Sequence, residues 1–78
     1  MGMVKKSELK FVYGDLIANA DNRIIKLSEL KESLNGLISD TADTELMIYY
    51  RELRNKVEKF IELDSEEAFR LKEESKDI

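Results

Sequence analysis

Residues 35–43 read Asn-Gly-Leu-Ile-Ser-Asp-Thr-Ala-Asp, and on both sides of this segment apolar residues recur every three or four positions. That spacing lines one face of a helix, whose period is about 3.6 residues. Two such stretches around one strong interruption constrain the chain to fold back on itself as an antiparallel helical hairpin. Asn35-Gly36 reads as a helix-ending pair, because Gly takes the left-handed conformation without steric cost. Residues 39–43 read as a polar turn, from which Asp43 or Thr44 caps the next helix through a side-chain oxygen. Acids at Asp40, Asp43 and Glu45 suit the positive end of that helix.

Before the hinge the apolar stripe is Leu9, Tyr13, Leu16, Ala20, Ile24, Leu27, Leu30, Leu34 and Ile38. Its eight steps cover 29 residues (38 − 9), nearer the ~3.6 of a straight helix than the ~3.5 of a coiled coil. The competing pattern is α+β, with an N-terminal β-hairpin over about 11–27 and Ser28 capping a short helix after it. Gly14, the polar residues 19–22 and the β-branched Val12, Ile17, Ile24 and Ile25 favour that version. The tetrapeptide Ser-Glu-Leu-Lys occurs at 7–10 and again at 28–31. Whether Ser28 lies inside a helix or caps one separates the two folds, of which the all-α one is expected.

After the hinge, Leu46, Tyr50, Leu53, Val57 and Phe60 form a four-three seam, widened by Met47, Tyr49 and Ile61. Asp64 falls where an apolar residue is due. With Glu67 three residues on, it reads as a capping box that kinks or restarts the helix. A short final helix would then turn Ala68, Phe69 and Leu71 inward, and 72–78 would fray. The expected architecture is a single small all-α domain over 1–78, a helical hairpin or three-helix bundle completed by self-association. Residues 1–6 are expected to be disordered or tag-derived.

The composition narrows the chemistry. The chain has 78 residues, no Cys, His, Pro or Trp, and 38% charged residues. Without Cys there is no disulfide or thiol nucleophile, and the cytoplasm is the expected compartment. Without His there is neither a His-based triad nor a zinc site of the usual type. The three glycines are scattered, so no phosphate loop forms. Paired acids such as Glu66 and Glu67 or Asp40 and Asp43 read as solvated helix ends rather than catalytic or metal-binding pairs. No enzymatic activity, cofactor or metal is expected. Residues 1–38 carry six Lys/Arg against five Asp/Glu, and residues 39–78 carry seven against twelve. An acidic second half argues against a general phosphate-binding surface. No apolar run approaches the ~20 residues of a membrane-spanning helix.

One cluster stands out. Tyr49, Tyr50, Arg51, Arg54, Lys56 and Lys59 set aromatics beside cations within about three helical turns. Tyr and Arg are enriched at the centres of protein interfaces, and the same pair of residue types serves nucleic-acid contacts. The candidate interface is therefore Leu46, Tyr49, Tyr50, Leu53, Arg54, Val57, Phe60 and Ile61. The partner expected is the chain itself, as a dimer or higher helical bundle, or another protein. The alternative is a small nucleic-acid-associated protein using Tyr49, Arg51 and Arg54. Residues 59–74, Lys-Phe-Ile-Glu-Leu-Asp-Ser-Glu-Glu-Ala-Phe-Arg-Leu-Lys-Glu-Glu, resemble part of the stalk subunit of archaeal RNA polymerase. That resemblance covers a stretch of capped amphipathic helix and assigns no family.

Overall fold

The computed structural model describes residues 6–78. It consists of two helices, α1 (Lys6–Asp40, 35 residues) and α2 (Thr44–Lys76, 33 residues), packed against each other along their lengths. Cross-helix partners run in opposite senses along the chain, Tyr13 with Glu74, Arg23 with Asp64 and Asn35 with Arg54, so the helices are antiparallel. No strand forms among the described residues, and Ser28 lies mid-helix. Local β preference at Val12, Ile17, Ile24 and Ile25 is outweighed by the apolar face that Ile17 and Ile24 share with the rest of the seam once α2 covers it, while Val12 and Ile25 stay exposed. The hairpin is therefore the architecture, and the β-hairpin and the third helix are both absent from it.

The turn is tighter than the sequence suggested. Only residues 41–43 leave helical geometry. α1 runs through Asn35-Gly36 to Asp40, and Gly36 has no positive φ. The Thr41 N–H still donates to the Leu37 carbonyl at 3.1 Å, extending the last turn. Asp43 is extended (φ −85°, ψ 114°) and caps α2 as expected, its Oδ1 accepting from the N–H of Glu45 at 2.9 Å and of Leu46 at 3.3 Å. The break expected at Asp64 does not form, since α2 passes through it as one helix. Asp64 faces α1 and ion-pairs there instead of capping. The expected disorder of 1–6 lies outside the described residues except at Lys6, with which α1 opens. At the other end α2 continues to Lys76.

The face that each helix buries differs by one residue from the stripe read along the sequence. Along α1 and just past its end the seam runs through Tyr13, Ile17, Ala20, Ile24, Leu27, Lys31, Leu34, Ile38 and Thr41, with Leu9 and Asp21 half-buried beside it. In α2 it runs through Met47, Tyr50, Arg54, Val57, Ile61, Asp64, Ala68, Leu71 and Ser75. Both sets step alternately by four and three, and both cover 28 residues in eight steps (41 − 13 and 75 − 47), or 3.5 per step. This is the heptad repeat of a coiled coil, not the straight-helix period. Leu16 and Leu30, expected inside, point outward at 44% and 49% exposure, and Ile17 and Lys31 take their places. Leu46 and Phe60 are likewise displaced outward by Met47 and Ile61.

The resulting core is thin. Among the described residues only Ala20, Leu34, Val57 and Ala68 are buried. The other apolar residues of the seam are half-buried, and polar residues interrupt it at Lys31, Thr41, Arg54, Asp64 and Ser75. Lys31 reaches Glu58 at 3.1 Å, and one terminal nitrogen of Arg54 donates to the Asn35 side-chain oxygen at 3.2 Å. The Arg54 Nε–H is buried without a partner.

Candidate interaction surface

The functional candidate is built by the residues that precede the seam. With the seam residues of each helix assigned to heptad positions a and d, the g positions of α1 are Leu9, Leu16, Arg23, Leu30 and Leu37. Those of α2 are Leu46, Leu53, Phe60, Glu67 and Glu74. In an antiparallel pair the g ridges of both helices border the same side, and the e ridges border the other. The ion pairs show this directly. Arg23 and Glu67 (g with g) approach to 3.9 Å, and Asp21 and Lys72 (e with e) also to 3.9 Å.

The two broad faces of the hairpin are therefore unlike. The e face is polar, with Gly14, Asp21, Ser28 and Asn35 on α1 and Arg51, Glu58, Ser65 and Lys72 on α2. The g face carries apolar residues at seven of its ten g positions, and the adjacent c positions add Val12, Tyr49 and Leu63. Phe60 is 55% exposed and Tyr49 56%. Of the twelve large apolar residues left exposed among the described residues, eight lie on this face; Phe11, Ile25, Ile48 and Phe69 lie beyond the e ridge. Such residues scattered singly are ordinary on a protein surface, whereas a continuous apolar row marks a contact surface.

At the middle of the g face sits its charged feature. Arg23 lies between Asp64, 3.4 Å from Nε, and Glu67, 3.9 Å from a terminal nitrogen. A shallow depression beside it is lined by Arg23, Lys26, Leu27, Phe60 and Asp64. Toward the hinge from this cluster the g layers are Leu30 with Phe60 and Leu37 with Leu53, closed by Leu46. Away from it Leu16 faces Glu74.

The eight interface candidates divide between two surfaces. Tyr50, Arg54, Val57 and Ile61 are used by the hairpin itself, in the seam. Leu46, Tyr49, Leu53 and Phe60 form the outward g face of α2, with Leu53 half-buried at its edge. The Tyr49 and Tyr50 rings lie 6.4 Å apart and tilted by 54°, so one side chain serves each surface. Tyr49, Arg51 and Arg54 do not converge: Tyr49 stands beside the g ridge, Arg51 is on the e ridge, and Arg54 turns into the seam toward Asn35. The sequence reading put Leu16 and Leu30 on the inner stripe of the first helix rather than on an outward face, and it did not single out the charged group Arg23, Asp64 and Glu67. The signal for the outward face is the adjacent pairs Leu16-Ile17, Leu37-Ile38, Leu46-Met47 and Phe60-Ile61. In each pair the second residue faces the seam and the first faces outward.

At the open end of the hairpin the Tyr13 hydroxyl donates to Glu74 Oε2 at 3.2 Å. That hydrogen bond to a carboxylate, with some desolvation and the negative charge of Glu74, raises the Tyr13 pKa above its ordinary value. Among the described residues no three acidic side chains gather as a cation site, and no helix is long and apolar enough to cross a membrane. No family model matches this sequence, and neither a curated protein nor a solved structure shows significant similarity to it.

Proposed function

We propose that this chain is a non-enzymatic protein–protein interaction module that works by self-association through its g face. The observation that carries the reading is the row of exposed Leu and Phe side chains along one broad face, interrupted at its middle by Arg23 and Glu67, opposite a face whose e ridge is polar. A two-helix layer with four buried residues has little core, and chains of this size gain stability from a second copy more readily than from further internal packing. The g face is also large enough. From Leu9 to Leu37 it runs for about 42 Å at ~1.5 Å per residue, and the molecule is 21 Å across. That is comparable with the ~800 Å² each partner contributes to a stable interface.

Sedimentation equilibrium and circular dichroism test the reading together. The expected mass exceeds the 9.1 kDa of one chain, and the melting temperature rises with protein concentration. Leu30→Glu and Phe60→Glu, each at an exposed position, should return the chain toward monomer. A monomer that melts cooperatively at a temperature independent of concentration overturns it.

A further inference from the structure

The order of residues along the g face defines how two copies meet. We infer that the chain forms a two-fold dimer with both hinges at the same end, held in that orientation by a charged layer of Arg23 and Glu67 from each copy. The inference rests on the self-association proposed above.

Two arrangements bring one g face onto another with full overlap. With the two-fold axis along the bundle, α1 of one copy lies beside α2 of its partner, and every layer meets its own level. Leu30 then neighbours the partner's Phe60, Leu37 the partner's Leu53, and Arg23 the partner's Glu67. Each Arg23 stands between two Glu67 carboxylates, its own at 3.9 Å and one across the interface. The layer becomes a ring of four alternating charges, and all the neighbouring helices are antiparallel.

With the axis perpendicular to the bundle, one hairpin is inverted, and each helix faces its own copy. The g series of α1 is symmetric about Arg23 (9, 16, 23, 30, 37), so inversion sets Arg23 against Arg23. On that same axis Glu67, level with Arg23, meets Glu67, and Glu74 meets Phe60; moving the axis one layer toward the hinge instead sets Arg23 on Leu37, Glu67 on Leu53 and Glu74 on Leu46. Like charges opposed, and carboxylates desolvated against leucine, both disfavour association. The same-ended dimer has neither fault. The polar e ridges are left outward, with Phe11, Ile25, Ile48 and Phe69 beyond them at least two heptad repeats apart on each helix and forming no second row, so the assembly closes at two chains.

The chain has no cysteine, so single cysteines introduced at Ala42→Cys, in the turn, and at Lys76→Cys, at the end of α2, report the orientation. Both sites are exposed and outside the seam. With nitroxide labels and pulsed dipolar spectroscopy, the same-ended dimer gives 42-to-42 and 76-to-76 distances within about 25 Å, two interhelical spacings plus the label arms. The inverted dimer gives at least one distance beyond about 45 Å at ~1.5 Å of rise per residue, 42-to-42 with the axis at Arg23 or 76-to-76 with the axis one layer toward the hinge. A dimer with such a long distance overturns the orientation and leaves self-association standing. A higher oligomer overturns the two-chain closure. A concentration-independent monomer overturns the self-association on which the inference rests. As a second readout, Arg23→Glu should weaken dimerisation at least tenfold and Arg23→Glu with Glu67→Arg should restore it; if Arg23→Glu dimerises like the parent, the charged layer has no such role.

Discussion

Arg23 and Asp64, 41 residues apart in sequence, meet across the hairpin with Arg23 Nε 3.4 Å from Asp64 Oδ1. Asp64 occupies a seam position where an apolar residue would otherwise sit, at 18% side-chain exposure, while Arg23 is half exposed on the g ridge. The pair thus ties the inner seam to the outer face at the midpoint of both helices. Pairs with one solvated partner contribute little to folding, so Arg23→Ala is expected to change hairpin stability by less than ~1 kcal/mol. Its larger effect should be on association, seen as a raised dissociation constant in sedimentation equilibrium at low salt, with the difference shrinking as salt is added.

Arg54 is the seam residue least suited to its place. Its Nε–H is buried and unpartnered, and its only polar contact is the 3.2 Å bond to Asn35. Arg54→Leu removes the unsatisfied donor and adds an apolar side chain at a heptad a position. It should raise stability by about 1 kcal/mol in urea denaturation at fixed protein concentration. A loss of stability would mean that the Asn35 bond and the packing of the arginine stem matter more than the orphaned N–H.

Gly14 and Gly36 sit inside α1 with helical backbone, and a methyl group at either would meet nothing within 4 Å. Neither position uses the conformational freedom of glycine. Gly14→Ala and Gly36→Ala should each stabilise the hairpin by ~0.5–1 kcal/mol. Thermal melting of the single and double variants, with additive increments, would show it.

Asp43 satisfies two otherwise free N–H groups at the start of α2 through one carboxylate oxygen. Asp43→Ala should cost ~1 kcal/mol, and Asp43→Asn much less, because the amide oxygen also accepts such bonds. Urea midpoints at one protein concentration separate the two.

The Tyr13–Glu74 bond makes a pH prediction at the alkaline end. The folded pKa of Tyr13 is raised by its donation to Glu74, by desolvation and by the carboxylate charge. A raised pKa means that the contribution is present in full below the unfolded value of ~10 and is lost as pH climbs through the folded one. Tyrosinate absorbance should therefore show one of the three tyrosines titrating late, and Glu74→Gln should bring it back toward the ordinary range. Between neutral pH and the start of that titration, no change from this pair is expected.

Much of this architecture was legible from residue order. The Asp43 cap, the reversal near residue 40 and the amphipathic character of both helices all follow from local chemistry. Where that reading went wrong, the cause was the partner helix. Asn35-Gly36 is a good helix end in isolation, but α1 continues because Ile38 is still half-buried in the seam and the Thr41 N–H bonds back to the Leu37 carbonyl. Asp64 is a good cap in isolation, but Arg23 gives its carboxylate a partner within an unbroken α2.

The sequence by itself determined a reversal near residue 40 with a capped amphipathic helix after it, because periodicity and capping oxygens act over a few residues; that each arm is one unbroken helix was decided by the structure. The sequence could not decide which member of Leu16-Ile17, Leu37-Ile38, Leu46-Met47 or Phe60-Ile61 turns inward, since adjacent apolar residues satisfy the helical period equally well. Only the tertiary structure decided that. Two helices in continuous contact adopt the 3.5-residue repeat, which selects the second residue of each pair and leaves the first along a single outward face. The surface proposed for self-association is thus a product of packing phase, a quantity that exists only once α1 and α2 are together.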